Sequence, residues 1–275
     1  MAKQSQNNLP EWENLLASIS RLQSIVPSAV LVGGSASAIH AGHRFSYDHD
    51  HTVTDLKGQF DTVLQTLEQV SGWNTNRVNK PVLILGSLDG VETGVRNLIR
   101  SAPLETEEKM VSGVKIVLPT EAECLRIKVY LALTRNATRD YLDVAALADK
   151  MGPAASALAL NNMDALYPQN NGQEHGSEWI VRTQIVKQFR EPKPYDLDDV
   201  DLQEYKGVKP PYDSWGHVEK ACSGLAMGLL ADFTQALQNS TTPSEVAARV
   251  DLTQWKESVD RGEKPVIKKL PGLVR

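Results

Sequence analysis

The sequence predicts an α+β protein, with a small mixed sheet flanked by helices over residues 1–119 and a helical region over 120–275. Three observations carry that division. Apolar runs of strand length alternate with helical patterns before Thr120. The Asp89-Gly90 pair is a hairpin signal between two of those runs. From Thr120-Glu121-Ala122-Glu123 onward, a capping-box pattern, helical periodicity dominates.

Each element has its own reason. Trp12, Leu15, Leu16, Ile19 and Leu22 follow the helical period, so a helix is expected from about Pro10 to Val26, closed by Pro27-Ser28. Ala29 to Val32 is a short apolar strand that ends on a glycine pair. A short helix over Ser35 to Ala41 is closed by Gly42. Tyr47 to Val53 is read as a strand and Gly58 to Val70 as a helix. Pro81 to Ser87 and Val91 to Ile99 form the hairpin pair, and Val114 to Leu118 is one more strand. Helices are then expected to Arg135, from Thr138, over Pro153 to Leu166 and over Ser177 to Phe189. Glu191 to Pro211, with four prolines and the acidic residues Asp196, Asp198, Asp199, Asp201 and Glu204, reads as an extended loop. Helices over Ser214 to Gln238 and Pro243 to Asp260 follow, then a basic, proline-punctuated tail.

A chain of 275 residues with 41% hydrophobic and 23% charged residues can bury a sizeable core as one large domain or two small ones. No apolar run approaches the roughly 20 residues needed to cross a bilayer, and Met1 to Asn8 is polar with no hydrophobic leader core. The expectation is a cytoplasmic protein with no membrane partner. Cys124 and Cys222 lie far apart inside helical patterns and read as buried thiols. A net charge of −5 argues against a generally basic nucleic-acid coat but leaves room for a local basic pocket.

The chemistry is concentrated between residues 33 and 50: Gly33-Gly34-Ser35-Ala36, then His40, His43-Arg44, Ser46 and Asp48-His49-Asp50. Glycines let backbone N–H groups approach phosphate oxygens, and a helix start adds partial positive charge. On a strand, Asp48 and Asp50 share one face with Arg44, Ser46 and Thr52, while His49 and His51 point away. Two like charges on one face repel unless a cation lies between them, and Mg²⁺ or Mn²⁺ is the hard cation such carboxylates hold. A solvated edge strand is the bland alternative. Four histidines within a dozen residues invite a zinc reading, but they lack zinc-hydrolase spacing, and bracing the loop or packing under the strand is the expected role.

A second group lies after Thr120. Lys128 and Arg135 are seven residues apart on one helical face, and Asp140 and Asp143 are an i, i+3 pair on the next helix. Taken alone they read as interhelical salt bridges. A triphosphate site needs such cations as well.

The combined run of Gly-Gly-Ser-Ala, His-Arg-x-Ser-x-Asp-x-Asp, Lys128 and Arg139-Asp140-x-x-Asp143 resembles the AbiEii family of nucleotidyltransferase-like toxins, within the polymerase-β-like nucleotidyltransferase superfamily. The resemblance covers about residues 25 to 150. It implies a nucleotidyltransferase-like N-terminal domain, with a helical C-terminal domain contributing to the cleft. It also implies that Gly33, Gly34, Ser35, Arg44 and Ser46 bind the nucleotide and that Asp48 and Asp50 bind metal. By the same resemblance Lys128 contacts phosphate, and Asp140 and Asp143 are the acidic pair of the following helix. Such enzymes carry a third carboxylate on a strand after a turn like Asp89-Gly90. Here that position is Gly94, with Glu92 the candidate to replace it.

The expected activity is metal-dependent transfer of a nucleoside monophosphate from an NTP to an acceptor hydroxyl, with two Mg²⁺ ions on Asp48 and Asp50 orienting the α-phosphate. The resemblance implies an RNA acceptor such as tRNA, and an antitoxin or cognate regulator as partner. Two alternatives stand beside it: a degenerate nucleotide- or partner-binding module, motivated by Gly94, and transfer to a small molecule, for which the run from Asp196 to Glu204 would supply acids.

Overall fold

The computed structural model describes residues 9–167 and 181–238. In chain order the elements are α1 (Leu9–Ile25), β1 (Val30–Val32), α2 (Gly33–Ala41), β2 (His49–Val53), α3 (Leu56–Glu68), β3 (Trp73–Asn79), β4 (Leu83–Leu88) and β5 (Val91–Asn97). They continue with β6 (Thr106–Val111), β7 (Val114–Pro119), α4 (Glu121–Arg135), α5 (Thr138–Met151), α6 (Pro153–Leu160), α7 (Met163–Leu166), α8 (Val181–Arg190) and α9 (Trp215–Gln238). The expected helix over Pro243 to Asp260, the tail, and the first residues of the helix expected from Ser177 lie outside the described residues.

The architecture is α+β, as expected. Five strands form a mixed sheet in the order β1-β2-β5-β4-β3, and β6 with β7 makes a separate hairpin. β2 and β5 run parallel at the centre; the other pairs are antiparallel. The Asp89-Gly90 turn joins β4 to β5 as the sequence predicts, with φ of 53° and 83° at its two residues. Positive φ at both positions suits the right-handed twist of the flanking strands. Ser112-Gly113, at 49° and 82°, makes the same kind of turn between β6 and β7.

Two strands escaped the sequence reading. β3 (WNTNRVN) has only Trp73 buried, and β6 (TEEKMV) has no buried residue, so neither carries the alternation that marks a half-buried strand. Both form because a neighbour across a tight turn offers a free edge. The stretch read as one helix over Pro153 to Leu166 is two, α6 and α7, broken near Asn161-Asn162. The expected capping box is half made: Thr120 Oγ1 accepts from Glu123 N at 3.3 Å. The Glu123 carboxylate does not turn back, because Arg126 and Arg100 take it at 2.8 and 2.7 Å.

One face of the sheet is packed and the other is open. Leu22, Val53, Leu56, Phe60, Leu67, Ile84, Leu88 and Val95 fill the space between the sheet, α1 and α3. A second cluster runs from Leu15, Ile19, Leu31 and Ala36 through Ile116 and Leu118 into α4, α5, α6, α8 and α9. Apolar packing therefore crosses the expected boundary at residues 119–120. Each fully buried Leu or Ile contributes about 1.5–3 kcal/mol, so this continuous packing fixes α4 and α5 against α2. Cys124 and Cys222 are buried free thiols within that second cluster. Burial pushes the Cys124 thiol up to about 12, which leaves it protonated and inert.

Candidate functional site

A cleft of about 570 Å³ opens on the uncovered sheet face, between β2, β4, β5, the start of α2 and the facing sides of α4 and α5. The first feature is the turn into α2. Gly33 has φ +75°, a conformation that favours glycine, and α2 begins there without a side-chain cap. Its first N–H groups are thus left for a ligand. Side chains close this turn from above: a Cβ on Gly34 would lie 2.6 Å from Arg44 Nη2 and 2.9 Å from Ser46 Oγ. Ser35 Oγ donates to the Asp48 carbonyl at 2.5 Å, tying the turn to the β2 segment.

The second feature is the carboxylate pair. Asp50 is on β2, and Asp48 stands just before the strand, which is shorter than the Tyr47 to Val53 expected. Both line the cleft, with side chains 49% and 33% exposed for Asp48 and Asp50. Ser46 Oγ donates to Asp48 Oδ1 at 3.0 Å, and Lys206 Nζ lies 3.9 Å from the same oxygen. Asp50 Oδ1 receives Arg96 at 3.4–3.5 Å. Thr52 also faces the cleft.

The histidines take the other face or the loop. His49 and His51 lie below β2, with His49 Nε2 2.9 Å from Ser18 Oγ and Nδ1 3.0 Å from Thr93 Oγ1. Burial lowers His49 to about 4, partly opposed by Asp48, and burial together with His49 holds His51 well below the ordinary imidazole range. Both are neutral at pH 7. His40 bonds the Pro119 carbonyl at 2.8 Å, and His43 belongs to the network below.

The third feature is a buried network around Asp143. Its Oδ1 accepts from Arg44 Nε at 2.8 Å and meets His43 Nε2 at 2.8 Å; its Oδ2 accepts from Arg44 Nη2 at 3.0 Å and pairs with Lys128 Nζ at 2.6 Å. Burial disfavours its charge, but Arg44, Lys128 and His43 outweigh that and hold the carboxyl well below the usual range. Burial likewise works against the Arg44 charge, and Asp143 nonetheless raises its pKa. Asp143 is fully buried and does not line the cleft. Through these contacts it holds Arg44 over the Gly34 turn and Lys128 at the cleft wall. Asp140 lies 3.5 Å from Lys128 Nζ, is also buried, and borders the cleft; its Oδ2 has no hydrogen-bond partner among the described residues.

All the expected site residues except Asp143 border the cleft or, for Ser35, hold its wall. Several cleft residues have no clear signal in sequence. Arg96 borders it, and Arg100 lies over the Tyr167 ring, which stacks on Tyr130 at 4.0 Å. Tyr205 and Lys206 come from the Pro-rich loop, which is docked and not merely solvated. Phe45 N donates to the Lys206 carbonyl and Lys209 N to the His43 carbonyl. Asp196 Oδ1 accepts from Thr138 N and Oγ1 at 2.7 and 2.8 Å, serving the start of α5. None of the five acids from Asp196 to Glu204 lines the cleft. Among charged lining residues, Arg44, Arg96, Arg100, Lys128, Arg135, Arg139 and Lys206 outnumber the acids Asp48, Asp50, Glu92 and Asp140, despite a net charge of −5 for the chain.

No protein-family profile matches the chain. It is similar to the heme uptake protein MmpL11 of Mycobacterium tuberculosis, 34% identical over 137 residues, which are 48% of this chain and 13% of that protein. It is also similar to the mycolic acid-containing lipids exporter MmpL11 of Mycolicibacterium smegmatis, 32% identical over 134 residues with the same coverage. The chain thus spans only 13% of the length of these relatives. Among the described residues, no helix is long and apolar enough to cross a membrane. Among solved structures it is similar to JHP933 from Helicobacter pylori (16% identity, TM-score 0.47, covering 86% of this chain and 99% of that one). It is similar too to MenT4, a nucleotidyltransferase toxin from Mycobacterium tuberculosis (13% identity, TM-score 0.44, covering 94% and 95%). At these scores the likeness is loose.

Proposed function

We propose that the cleft binds a nucleoside triphosphate with a divalent ion and transfers its nucleoside monophosphate to an acceptor hydroxyl. The observation that carries this reading is the convergence of an uncapped, glycine-lined helix start, closed over by Arg44 and Ser46, with the half-exposed Asp48 and Asp50 of the adjoining strand. Such a start receives phosphate oxygens. The carboxylates supply an all-oxygen donor set open to the cleft, which suits Mg²⁺ or Mn²⁺. Both retain only long contacts to cations, 3.9 Å to Lys206 and 3.4 Å to Arg96, so their charge is largely unpaired.

The reaction is an in-line displacement. The acceptor oxygen bonds the α-phosphorus, the bond to the β-phosphate bridge breaks, pyrophosphate leaves, and the hydroxyl proton passes to a base. A bound divalent ion would polarise the α-phosphate and stabilise the leaving group. Asp48 and Asp50 would hold that ion. Arg44, Ser46 and the N–H groups of Gly34 and Ser35 would hold the β and γ end, and Lys128 would neutralise charge on the opposite wall. The basic wall with Arg135 and Arg139 suits a polyanionic acceptor. RNA such as tRNA, a toxin role with an antitoxin or regulator as partner, and a cytoplasmic setting rest on the motif resemblance.

A second reading, nucleotide binding without turnover, is favoured by one observation: Gly94 stands opposite Asp50 where a third carboxylate is expected. Incubation with each α-labelled NTP, Mg²⁺ and total tRNA separates the two. Label transfer abolished in Asp48→Ala/Asp50→Ala supports the transferase. NTP binding with neither label transfer nor pyrophosphate release supports the second reading, and equal transfer by wild type and double variant contradicts the mechanism.

A further inference from the structure

On the sheet face of the cleft, β5 runs parallel beside β2 and sets Gly94 opposite Asp50. A Cβ at Gly94 would lie 2.6 Å from Leu85 Cδ2 and 3.1 Å from Asp50 Oδ1. No side chain fits beside Asp50 there unless Leu85 moves. The same Asp50 oxygen is approached by Arg96, Nε at 3.4 Å and Nη2 at 3.5 Å. Arg96 is two residues along β5, hence on the same face, and its side chain is 42% exposed at the cleft. Glu92, two residues the other way, borders the cleft with no hydrogen bond or ion pair among the described residues. Along this face β5 therefore presents an acid, a gap and a base, with the base turned back onto the gap.

We infer that Arg96 is a built-in cation that takes the place of a second divalent ion, so that the cleft holds one ion on Asp48 and Asp50 with the guanidinium beside it. This rests on the metal-and-nucleotide reading above. A guanidinium is always charged and presents its donors as a planar fork. One edge can stay on Asp50 while the other meets phosphate oxygens. A second divalent ion on the Gly94 side of Asp50 would lie against that positive charge, and Glu92, two residues beyond Gly94, is the one further acid on β5 to offset the repulsion. The arrangement accounts for the missing acid: Gly94 leaves Asp50 Oδ1 open to Arg96.

The test is a Mn²⁺ titration of the full chain followed by electron paramagnetic resonance, with and without a non-hydrolysable NTP. Wild type is expected to bind one Mn²⁺ without the spin coupling of a close ion pair. Arg96→Ala is expected to tighten Mn²⁺ roughly tenfold or admit a second ion, since a like charge is removed. Arg96→Lys should retain one ion. A thermal melt checks that each variant is folded. Two spin-coupled ions in wild type, or Mn²⁺ binding unchanged in Arg96→Ala, would overturn the inference while leaving the metal site standing. Mn²⁺ binding that is absent, or indifferent to Asp48→Ala/Asp50→Ala, would remove the metal reading itself and this inference with it.

Discussion

Two pairs of aspartates, one open to the cleft and one buried in its opposite wall, are held in opposite ways. Asp48 and Asp50 are half exposed, touched only by a serine hydroxyl and distant cations. Asp140 and Asp143 are buried, and Asp143 is saturated by Arg44, His43 and Lys128. The first pair carries charge the protein has not neutralised, which is what a metal site requires. In the second pair Asp143 has its charge neutralised by the protein's own cations, which is what a scaffold requires, while Asp140 shares Lys128 at 3.5 Å. On the proposed function, burial thus divides equal chemistry at similar spacing into a binding role and a positioning role.

The sharpest way to break that comparison is to remove one acid from each pair. Asp143→Asn leaves Arg44 and Lys128 buried with no full counter-charge and should cost about 3–5 kcal/mol in chemical denaturation. Asp48→Asn, at a half-exposed site, should stay within about 0.5 kcal/mol of wild type. Similar losses in both would erase the distinction. For transfer, Asp50→Asn in the exposed pair should lower the label-transfer rate roughly 10²-fold or more with an unchanged melting temperature.

The histidines under β2 sharpen the comparison from below. Their folded pKa values are depressed, so the unfolded chain takes up protons first as pH falls. Their contribution to stability is complete above about pH 6.5 and is lost as pH drops toward the folded values. For His49, at about 4, the loss is on the order of 3 kcal/mol. Asp143, also depressed, keeps its contribution until the pH falls below the ordinary carboxylate range near 3.8. Urea denaturation at pH 7, 5 and 3 should therefore show an early decline from the histidines and a later one from Asp143. The smallest effect is expected at His51, whose Nε2 is buried with no partner among the described residues. His51→Leu should be neutral or stabilising by up to about 1 kcal/mol and should flatten the early acid decline.

What was legible in the sequence follows the same division. The spacing of Asp48 and Asp50, the glycine turn and the Asp89-Gly90 hairpin are local features, set by strand period and turn stereochemistry, and each stands where it was expected. Burial is not local. Asp143 is a site acid by the motif resemblance and an interhelical salt bridge by spacing alone; it lies among Leu142, Val144, Ala145 and Leu147, a run apolar on several sides, and that is the available sign of a central helix. β3 and β6 were missed because polar strands carry no alternation. Arg96 and Lys206 were missed because their partners lie 46 and 158 residues away in sequence, at Asp50 and Asp48. The loop from Glu191 to Pro211 was read from composition as solvated, whereas its backbone bonds to Phe45 and His43 bring Tyr205 and Lys206 to the cleft.

The most direct test of the central claim is calorimetric NTP binding with and without Mg²⁺, measured on wild type and on Asp48→Asn/Asp50→Asn beside their melting temperatures. The account predicts Mg²⁺-enhanced binding in wild type, loss of the enhancement in the double variant, and equal melting temperatures. Mg²⁺ enhancement that survives in the double variant would contradict it.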